Sequence, residues 1–396
     1  ELAAGLSAEG AAVESAGVIP TPGVSYLVRR HGYDLGIVIS ASHNPPEYNG
    51  VKLFERDGTK SSDELEAAVE RAYGELRGAP GDEPPAESGT ESAAMRRVGK
   101  LQDDYVAALV ELSHGRGRGS KVVLDCANGA TGAAARAVFE ALGADAILLN
   151  AGADGARIND GSGALHPELA AAAVREHGAA AGFSFDGDGD RVIAIDEKGQ
   201  THDGDDILCA LGLFLKERGE LPGDGIVATV LSNMGLEVRL GQAGVKLHRV
   251  PVGDRHVSRK LIEEGLALGG EQSGHIVLAR AVGPTGDGIA CAVELIRAAG
   301  GLGKPLSELL TGFARYPQVA KNVRVSRKPA LETLPAVNAA IAAANVELAR
   351  RGRILVRYSG TEPLARVMVE AEDPVLTERV AAEVAAVIAR EIGAAA

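Results

Sequence analysis

The sequence predicts an α/β fold in several domains, with a smaller α+β domain at the carboxyl end. Short runs rich in Val, Ile and Leu alternate with Ala-rich helical patterns, which is typical of βαβ units in mixed sheets covered by helices. A chain of 396 residues is also longer than one hydrophobic core usually serves, so two to four domains are expected. The β-type runs lie at residues 36–40, 121–125, 146–150, 182–186, 192–196 and 225–230.

Three stretches have the composition of connections between domains. Residues 78–95 are rich in Pro, small and acidic residues, and further breaks are predicted near residues 219–224 and 316–322. The tail beyond the last break is the predicted α+β domain. Its predicted elements are a strand at 323–326, a helix at 331–350, a strand pair within 353–372 and a final helix at 374–392.

The composition is that of a globular protein and excludes several classes of function. Hydrophobic residues make up 45% of the chain, and no apolar run is long enough to span a bilayer. The net charge of −13 argues against general nucleic-acid binding, so an anionic substrate would need local basic groups. Cys126, Cys209 and Cys291 lie far apart, which predicts reduced thiols in a cytoplasmic protein and not a disulfide framework.

The most informative segment, residues 40–45, reads Ser-Ala-Ser-His-Asn-Pro and closes an apolar run. A strand that ends in such a turn presents Ser42 and His43 at its carboxyl end, where open α/β sheets place their chemistry. Lys52 would transfer a proton or contact a phosphate if the following residues fold back. No Gly-x-Ser-x-Gly elbow occurs, so an α/β-hydrolase is poorly supported. Taken alone, the Ser-His pair is an ordinary loop feature and Lys52 a surface lysine.

A second loop, residues 186–191, reads Asp-Gly-Asp-Gly-Asp-Arg. Asp186, Asp188 and Asp190 stand at alternate positions and can converge on one hard cation, Mg²⁺ or Ca²⁺. The competing interpretations are a plain acidic turn and an EF-hand, but Arg191 stands where the EF-hand turn requires Gly and the flanks are predicted strands. Arg191 beside the carboxylates would suit a phosphate held against the metal.

A third loop, residues 270–275, reads Gly-Glu-Gln-Ser-Gly-His. Its carboxylate, amide and hydroxyl groups form an array of donors and acceptors suited to sugar hydroxyls, in which we single out Glu271, Ser273 and His275. A polar turn is the alternative. A smaller basic loop at residues 253–256 contains Arg255, and in isolation it would be a solvated turn.

A fourth loop follows the apolar run at residues 353–356 and reads Arg-Tyr-Ser-Gly-Thr-Glu-Pro. Arg357, Ser359 and Thr361 with the Gly360 amide would form a nest for a dianionic phosphate. Arg366 on the next predicted strand would add a second guanidinium. Without the other loops, an ordinary hairpin turn would explain the pattern equally well.

Together and in this order, the four loops resemble those of the α-D-phosphohexomutase superfamily, and within it the phosphoglucosamine mutase branch. The branch is favoured by the residues at 231–237, 252–257 and 271–275. The resemblance implies three similar mixed-sheet α/β domains, the first incomplete, and a smaller α+β domain around a central cleft. The implied spans are residues 1–98 with the phosphoserine loop, 99–219 with the metal loop, 220–317 with the sugar loop and 318–396 with the phosphate loop.

The resemblance also implies a reaction and a role for each loop. Ser42 would carry the phosphoryl group and bind one Mg²⁺ together with Asp186, Asp188 and Asp190. The reaction would interconvert glucosamine 6-phosphate and glucosamine 1-phosphate through a 1,6-bisphosphate, an isomerase step that feeds UDP-N-acetylglucosamine synthesis. Glucose or glucosamine 1,6-bisphosphate would act as activator. The implied catalytic residues are Ser42, His43, Lys52 and Arg191, and the implied substrate-binding residues are Arg255, Glu271, Ser273, His275, Arg357, Ser359, Gly360, Thr361 and Arg366.

Several alternatives stay open at this point. A phosphoglucomutase or phosphomannomutase would share most of these residues, and a metal-dependent phosphatase would share the carboxylates and the serine. The family's opening Gly-Thr-Asp-Gly-Ile-Arg-Gly loop does not occur, and residues 1–17 resemble the helix that follows it. The resemblance therefore implies an amino-terminally truncated chain that lacks an active-site arginine, and a catalytically impaired sugar-phosphate binder is a third alternative. A homodimer is compatible with the resemblance, and no nucleic-acid or membrane partner is expected.

Overall fold

A computed structural model describes residues 1–76, 95–360 and 362–394. The predicted connection at 78–95, apart from Met95, and Thr361 of the phosphate loop therefore lie outside the described residues. The chain forms two compact units. Unit 1 comprises Glu1–Thr229 and His248–Thr311, and unit 2 comprises Val230–Leu247 and Gly312–Ala396.

Strands and helices alternate along the chain, as the sequence predicts. The strands are β1 Val13–Ser15, β2 Leu35–Ser40, β3 Gly50–Glu55, β4 Met95–Arg97, β5 Lys121–Asp125, β6 Asp145–Leu149, β7 Ala181–Phe185, β8 Val192–Asp196, β9 Thr201–His202, β10 Gly225–Thr229, β11 Lys246–Val250, β12 Leu268–Gly270, β13 Ile276–Leu278, β14 Gln318–Arg324, β15 Gly352–Tyr358 and β16 Leu364–Ala371. The α-helices are α1 Leu2–Ala8, α2 Thr21–His31, α3 Asp63–Leu76, α4 Lys100–Leu112, α5 Thr131–Ala141, α6 Glu168–His177, α7 Gly204–Glu217, α8 Met234–Gln242, α9 Asp254–Glu264, α10 Gly288–Leu302, α11 Leu306–Leu309, α12 Pro335–Leu348 and α13 Pro374–Ile392. Within the described residues, none of these helices combines the length and the apolar character that crossing a bilayer requires.

The largest sheet in unit 1 has five strands in the order β6-β5-β7-β8-β9. β5 pairs parallel with β6 and β7, and β8 and β9 continue the sheet antiparallel. All five residues of β7 are buried. The reason is that α6 packs against β7 at Gly182 and α10 packs against it at Phe185, positions that face opposite sides of a strand. The acidic loop at residues 186–191 therefore starts at the carboxyl end of a strand buried on both faces.

Two smaller sheets place the Ser42 turn and the predicted sugar loop. One has the order β11-β10-β12-β13, with β10 and β12 parallel and β12 and β13 antiparallel. The other is the antiparallel pair of β2 and β3, in which Val38 stands opposite Lys52 and Ser40 opposite Gly50. Opposed residues point to the same face of a sheet, so this register brings Lys52 back toward the turn that follows β2. Elsewhere β1 pairs parallel with β4.

Unit 2 contains a three-stranded antiparallel sheet in the order β14-β16-β15, against which α12 and α13 pack. The predicted α+β tail is thus confirmed, and the final helix spans the predicted residues. Burial alternates residue by residue along β14 and is nearly complete along β16, because β16 is the central strand. The fully buried apolar residues of this core are Val337, Leu348, Ala365, Val367, Val369, Ala371, Ala381 and Ile388.

Three details of the sequence prediction are wrong. The helical resemblance over residues 1–17 holds only to Ala8, since Val13–Ser15 forms β1. The break predicted at 316–322 is occupied by β14, whose half-buried alternation of Ala, Lys and Asn gives a weak strand pattern. The helix predicted from residue 331 starts at Pro335, since proline favours the first helical turn. The prediction of reduced thiols is confirmed, because all three cysteines are free and buried.

A buried ion pair lies where α7 and α10 pack together. Arg297 donates to both carboxylate oxygens of Glu294, through Nε at 2.9 Å and Nη2 at 2.5 Å, and Nη2 also donates to Glu220 at 2.7 Å. The Arg297 guanidinium also lies 4.7 Å from the centre of the Phe214 ring. Burial raises the pKa of Glu294, and the Arg297 guanidinium works in the opposite direction. The arginine therefore opposes the neutralisation that burial favours for this carboxyl group.

We predict that Arg297→Met lowers the free energy of unfolding by about 3–5 kcal/mol, because Glu294 loses its counter-charge while it stays buried. The unpaired Glu294 carboxyl would then favour its neutral form, so its pKa in the folded variant is raised. The loss of unfolding free energy is therefore largest at high pH and becomes smaller as the pH falls through that pKa. Urea denaturation at about pH 8 and about pH 5.5 measures both effects. Arg136→Met is the control, because its partner Glu140 is exposed and the pair contributes about 1 kcal/mol or less. Equal losses for the two variants would contradict the prediction.

Candidate active site

Ser42 lies in the tight turn after β2, with its backbone in the left-handed region at φ +56°. Residues other than glycine rarely adopt this conformation, and strain of this kind clusters at functional sites. The Ser42 N–H donates to Ser40 Oγ at 2.9 Å, and the Asn44 N–H donates to the Ala41 carbonyl at 2.9 Å. The turn places Ser42 Oγ 3.4 Å from Lys52 Nζ.

The three aspartates of the acidic loop are almost completely buried, and each has one carboxylate oxygen bound within the protein. Asp186 Oδ1 accepts the Arg191 N–H at 3.0 Å. Asp188 Oδ2 accepts Lys52 Nζ at 2.5 Å, and Asp190 Oδ2 accepts it at 3.1 Å. The second oxygen of each carboxylate is buried without a hydrogen-bond partner, and ligand atoms from the three residues lie within 4.8 Å of one another.

This geometry separates the interpretations of the acidic loop. The EF-hand is wrong, because strands β7 and β8 flank the loop where helices are required. A plain acidic turn would expose its carboxylates, whereas here three clustered carboxylates are buried and each keeps one unpartnered oxygen. A hard divalent cation fits this donor set, since it would satisfy all three oxygens and offset their charge.

The buried charged groups of the site shift one another's pKa values. Burial raises the pKa of Asp186 well above its usual range, and the Asp190 and Asp188 carboxylates raise it further. Burial acts on Asp190 in the same sense, but the Lys52 ammonium and His275 outweigh it and hold the pKa of Asp190 well below its usual range. Burial alone would lower the pKa of Lys52, yet the two carboxylates raise it. Lys52 is therefore a fixed positive charge beside the Ser42 hydroxyl.

His43 and Arg191 lie at the edge of this cluster. Burial lowers the pKa of His43, and the Arg191 guanidinium lowers it further, so the imidazole is neutral near pH 7. Arg191 Nε lies 3.9 Å from Asp190 Oδ1 and has no hydrogen-bond partner among the described residues. The Arg191 backbone forms a bridge to His275, which joins the acidic loop to the predicted sugar loop.

The predicted sugar loop is fastened to the start of α7 and to the neighbouring basic loop. Glu271 Oε1 accepts the Gly253 N–H at 3.1 Å, and Glu271 Oε2 accepts Ser273 Oγ at 3.3 Å. The Gly204 N–H donates to the Gln272 carbonyl at 3.0 Å. A Cβ on Gly204 would lie 1.9 Å from the Glu271 carbonyl oxygen, so the helix approaches the loop as closely as only glycine allows. Glu271 and Ser273 keep solvent exposure.

His275, in contrast, is only 2% exposed. Its Nε2 accepts the Gly286 N–H at 3.0 Å, and its Nδ1 faces Asp190 Oδ1 at 3.8 Å. Both ring nitrogens are thus directed at the protein interior. Direct contact of His275 with a sugar stays a prediction, and in this structure the ring lies against the acidic loop.

Arg255 is engaged with carboxylates of the protein. Its guanidinium donates to Asp63 and Glu66 of α3, while Lys60 pairs with Asp254. These pairs border a cavity of about 280 Å³. The cavity is lined by Lys52, Leu53, Lys60, Glu66, Asp254 and Arg255.

The predicted phosphate loop lies in unit 2, between β15 and β16. Arg357 and Arg366 stand directly opposite each other in the antiparallel ladder, and Arg366 Nη2 donates to Glu362 Oε2 at 2.7 Å, which offsets part of this like charge. The Ser359 N–H donates to the Leu364 carbonyl at 2.9 Å, which closes the hairpin. Gly360 follows and is exposed. Two guanidinium groups beside an open turn suit the binding of a phosphate dianion.

Four models of one family match successive parts of the chain. Those for the alpha/beta/alpha domains I, II and III of phosphoglucomutase/phosphomannomutase match residues 1–78, 103–199 and 203–316, and that for the C-terminal domain matches residues 321–387. The phosphoglucosamine mutase of Moorella thermoacetica is 47% identical over 373 residues, which cover 94% of this chain and 83% of that protein. That of Symbiobacterium thermophilum is 45% identical over 391 residues, 99% of this chain and 86% of that protein. The chain belongs to the phosphoglucosamine mutase family.

Solved structures agree with this membership. A phosphoglucomutase/phosphomannomutase family protein from Burkholderia thailandensis superposes with a TM-score of 0.78 at 25% identity, covering 98% of this chain and 85% of that one. N-acetylphosphoglucosamine mutase of Aspergillus fumigatus, in complex with GlcNAc-6P and magnesium, superposes with a TM-score of 0.68 over 93% and 92% of the two chains. At 20% identity the second likeness concerns the fold alone. Family membership confirms the mixed α/β fold class and the resemblance carried by the four loops.

In this member of the phosphoglucosamine mutase family, the structure adds one residue to the acidic cluster that the sequence did not predict, Thr21. Thr21 is fully buried at the start of α2, and its Oγ1 donates to Asp188 Oδ2 at 2.5 Å. Its N–H donates to the Asp188 carbonyl at 2.8 Å. The Thr-Pro pair at residues 21–22 is an ordinary helix-start signal, so nothing in the sequence links it to a loop 167 residues away.

The structure brings most of the predicted residues together in two groups. The group in unit 1 comprises Ser42, His43, Lys52, Asp186, Asp188, Asp190 and Arg191, with Glu271 and Ser273 on the loop joined to it through His275. The group in unit 2 comprises Arg357, Ser359, Gly360 and Arg366.

Proposed function

We propose that the chain interconverts glucosamine 6-phosphate and glucosamine 1-phosphate by passing a phosphoryl group through Ser42. The observation that carries the proposal is the convergence of Ser42, Lys52 and three buried carboxylates in a member of the phosphoglucosamine mutase family. The proposed domains are residues 1–98, 99–219, 220–317 and 318–396, each contributing one of the four loops. A cytoplasmic location and a homodimer stay predictions.

We assign Asp186, Asp188 and Asp190 to one Mg²⁺, together with an oxygen of the Ser42 phosphate. The three unpartnered carboxylate oxygens support this assignment. When bound, Mg²⁺ supplies charge neutralisation at a transferring phosphoryl group. Thr21 and Arg191 hold Asp188 and Asp186 in place through their hydrogen bonds.

Phosphoryl transfer depends on positioning and charge more than on covalent chemistry. Lys52 places a positive charge 3.4 Å from Ser42 Oγ, where it offsets charge on the phosphoryl oxygens during transfer. A sugar hydroxyl that accepts the phosphoryl group must lose its proton, and His43, neutral and next to Ser42, is the residue that we assign to take it up. His43 passes that proton to the Ser42 oxygen as the phosphoryl group leaves it. The proton moves in the reverse direction, from Ser42 to the departing sugar oxygen, when the second phosphoryl group of the 1,6-bisphosphate goes back to Ser42. Such a bisphosphate of glucose or glucosamine would also serve as activator.

Substrate binding divides between two loops in this proposal. Glu271 and Ser273 recognise the sugar, and the Glu271 carboxylate suits a protonated 2-amino group. Arg357, Ser359, Gly360, Thr361 and Arg366 bind the phosphate that does not react. Arg255 can serve the substrate only after it exchanges Asp63 and Glu66 for a phosphate, which the open cavity beside it permits.

We predict that glucosamine 1-phosphate is preferred over glucose 1-phosphate by one to two decades in kcat/KM. A charge-assisted hydrogen bond between Glu271 and the 2-ammonium group contributes roughly 1.5–3 kcal/mol, which corresponds to that ratio. Initial rates with both sugars measure it, and Glu271→Gln should reduce the preference while the exposed control Glu70→Gln keeps it. Equal kcat/KM for the two sugars would move the assignment to a phosphoglucomutase.

We predict that Ser42→Ala lowers turnover below about one-thousandth of the wild-type rate, because the phosphoryl carrier is lost. The wild-type chain, incubated with a hexose 1,6-bisphosphate, should gain the mass of one phosphoryl group, and the variant should not. Ser62→Ala, in the loop before α3, is the control and should behave as wild type. Turnover of Ser42→Ala at a tenth of the wild-type rate would exclude the carrier role.

We predict that Thr21→Val weakens Mg²⁺ binding by about 10- to 100-fold, because Asp188 loses the hydroxyl that orients its carboxylate. Valine has the same shape, so the fold should persist. Titration calorimetry with Mg²⁺ measures the affinity. Thr377→Val is the matched control, since Thr377 is equally buried in the first turn of a helix and donates to the Asp373 carbonyl. Unchanged Mg²⁺ affinity in Thr21→Val would refute the orienting role.

A further inference from the structure

Asn159 contacts the turn that carries Ser42, although the two residues are 117 positions apart in the sequence. Its Nδ2 donates to the Ser42 carbonyl and to the Asn44 carbonyl, both at 2.8 Å. One side-chain amide group has two N–H donors, so a single Asn satisfies both carbonyls. The two acceptors lie on either side of His43.

Asn159 is itself fixed to the five-stranded sheet. Its N–H donates to the Ala127 carbonyl at 2.9 Å, and the Ala127 N–H donates to Asp125 Oδ1 at 3.1 Å. Asp125 is fully buried at the end of β5, and its Oδ2 accepts the Gly163 N–H at 3.0 Å. A chain of hydrogen bonds thus runs from the sheet to the Ser42 turn.

The backbone around the Ser42 carbonyl leaves little freedom. A Cβ on Gly187, between Asp186 and Asp188, would lie 2.7 Å from the Ser42 carbonyl oxygen, so the acidic loop packs against the same peptide. Asn159 and Ser42 both have positive φ, at +58° and +56°. Asn tolerates this conformation better than most residues, whereas Ser needs surrounding contacts to hold it.

We propose that Asn159 is a positioning residue for phosphoryl transfer, a role that rests on the function proposed for Ser42. By holding the Ser42 and Asn44 carbonyls, it fixes the strained turn, and with it the place of Ser42 Oγ relative to Lys52 and the acidic loop. In-line transfer is sensitive to such placement, since a shift of about 1 Å costs on the order of 100-fold in rate. A residue that only fastens two parts of unit 1 would instead affect stability.

The test uses two substitutions that keep the backbone conformation. Asn159→Gly deletes the amide, and Asn159→Asp keeps the size but replaces the donors with acceptors. Asn128→Gly and Asn128→Asp are the matched controls, because Asn128 also has a positive φ, at +53°, and its amide donates to the Arg157 carbonyl at 3.4 Å. The measurements are kcat and KM for glucosamine 1-phosphate, the melting temperature, and hydrogen exchange of the amides at residues 40–47.

We expect both Asn159 variants to lose about 10- to 100-fold in kcat with KM changed less than about twofold. Their melting temperatures should match those of the Asn128 controls, which keep kcat, and residues 40–47 should exchange faster only in the Asn159 variants. Wild-type kcat in the Asn159 variants, or equal kcat losses in the controls, would overturn the positioning role.

Failure of the proposed function gives a different result. If the wild-type chain does not isomerise glucosamine phosphates, the proposed function is wrong. The role of Asn159 in holding the turn is then tested by hydrogen exchange alone. Faster exchange at residues 40–47 in both variants would support its hold on the turn, and unchanged exchange would overturn it.

Discussion

The burial of three carboxylates at the end of one strand is the constraint on which the rest of unit 1 depends. The strand that leads into the acidic loop is covered on both faces, and this loop carries Asp186, Asp188 and Asp190. Because these side chains are buried, their charge must be offset locally. Lys52 arrives from a hairpin with the positive charge that does so, and His275 arrives from a third sheet with its Nδ1 facing Asp190 Oδ1. Elements distant in sequence are thereby required to meet at one loop, and the functional geometry follows from that electrostatic demand.

Backbone contact is the second means by which the loops are joined. Gly187 packs against the Ser42 peptide and Gly204 against the Glu271 peptide, and a side chain at either place would collide with a carbonyl oxygen. Main-chain packing of this kind allows little sliding, so the relative positions of the reacting hydroxyl, the carboxylates and the sugar loop are set by peptide groups. The side chains of these loops are then available to bind ligands and to carry charge.

The sequence predicts the pattern of the fold and the main chemistry because both are local. The strand-like runs at 121–125 and 192–196 coincide with β5 and β8. The alternation of Asp and Gly at 186–190 predicts a cation site even without knowledge of the fold. Contacts between distant segments leave no such trace: the hydroxyl of Thr21 resembles a helix-start residue, and the amide of Asn159 resembles a loop residue. The burial of His275 also cannot be seen in the sequence, since a His in a polar loop is expected to be exposed, whereas here the Gly286 peptide and Asp190 lie against its ring.

The facing pair Arg357 and Arg366 has a consequence for selectivity. Arg366 already pairs with the Glu362 carboxylate, so a phosphate that binds the two guanidinium groups must compete with an anionic group of the same loop. Inorganic phosphate would meet the same competition as a phosphosugar, without the contacts that a sugar adds. If the loop binds the phosphate of the substrate as proposed, discrimination against bulk phosphate must therefore come from the side chains proposed to recognise the sugar.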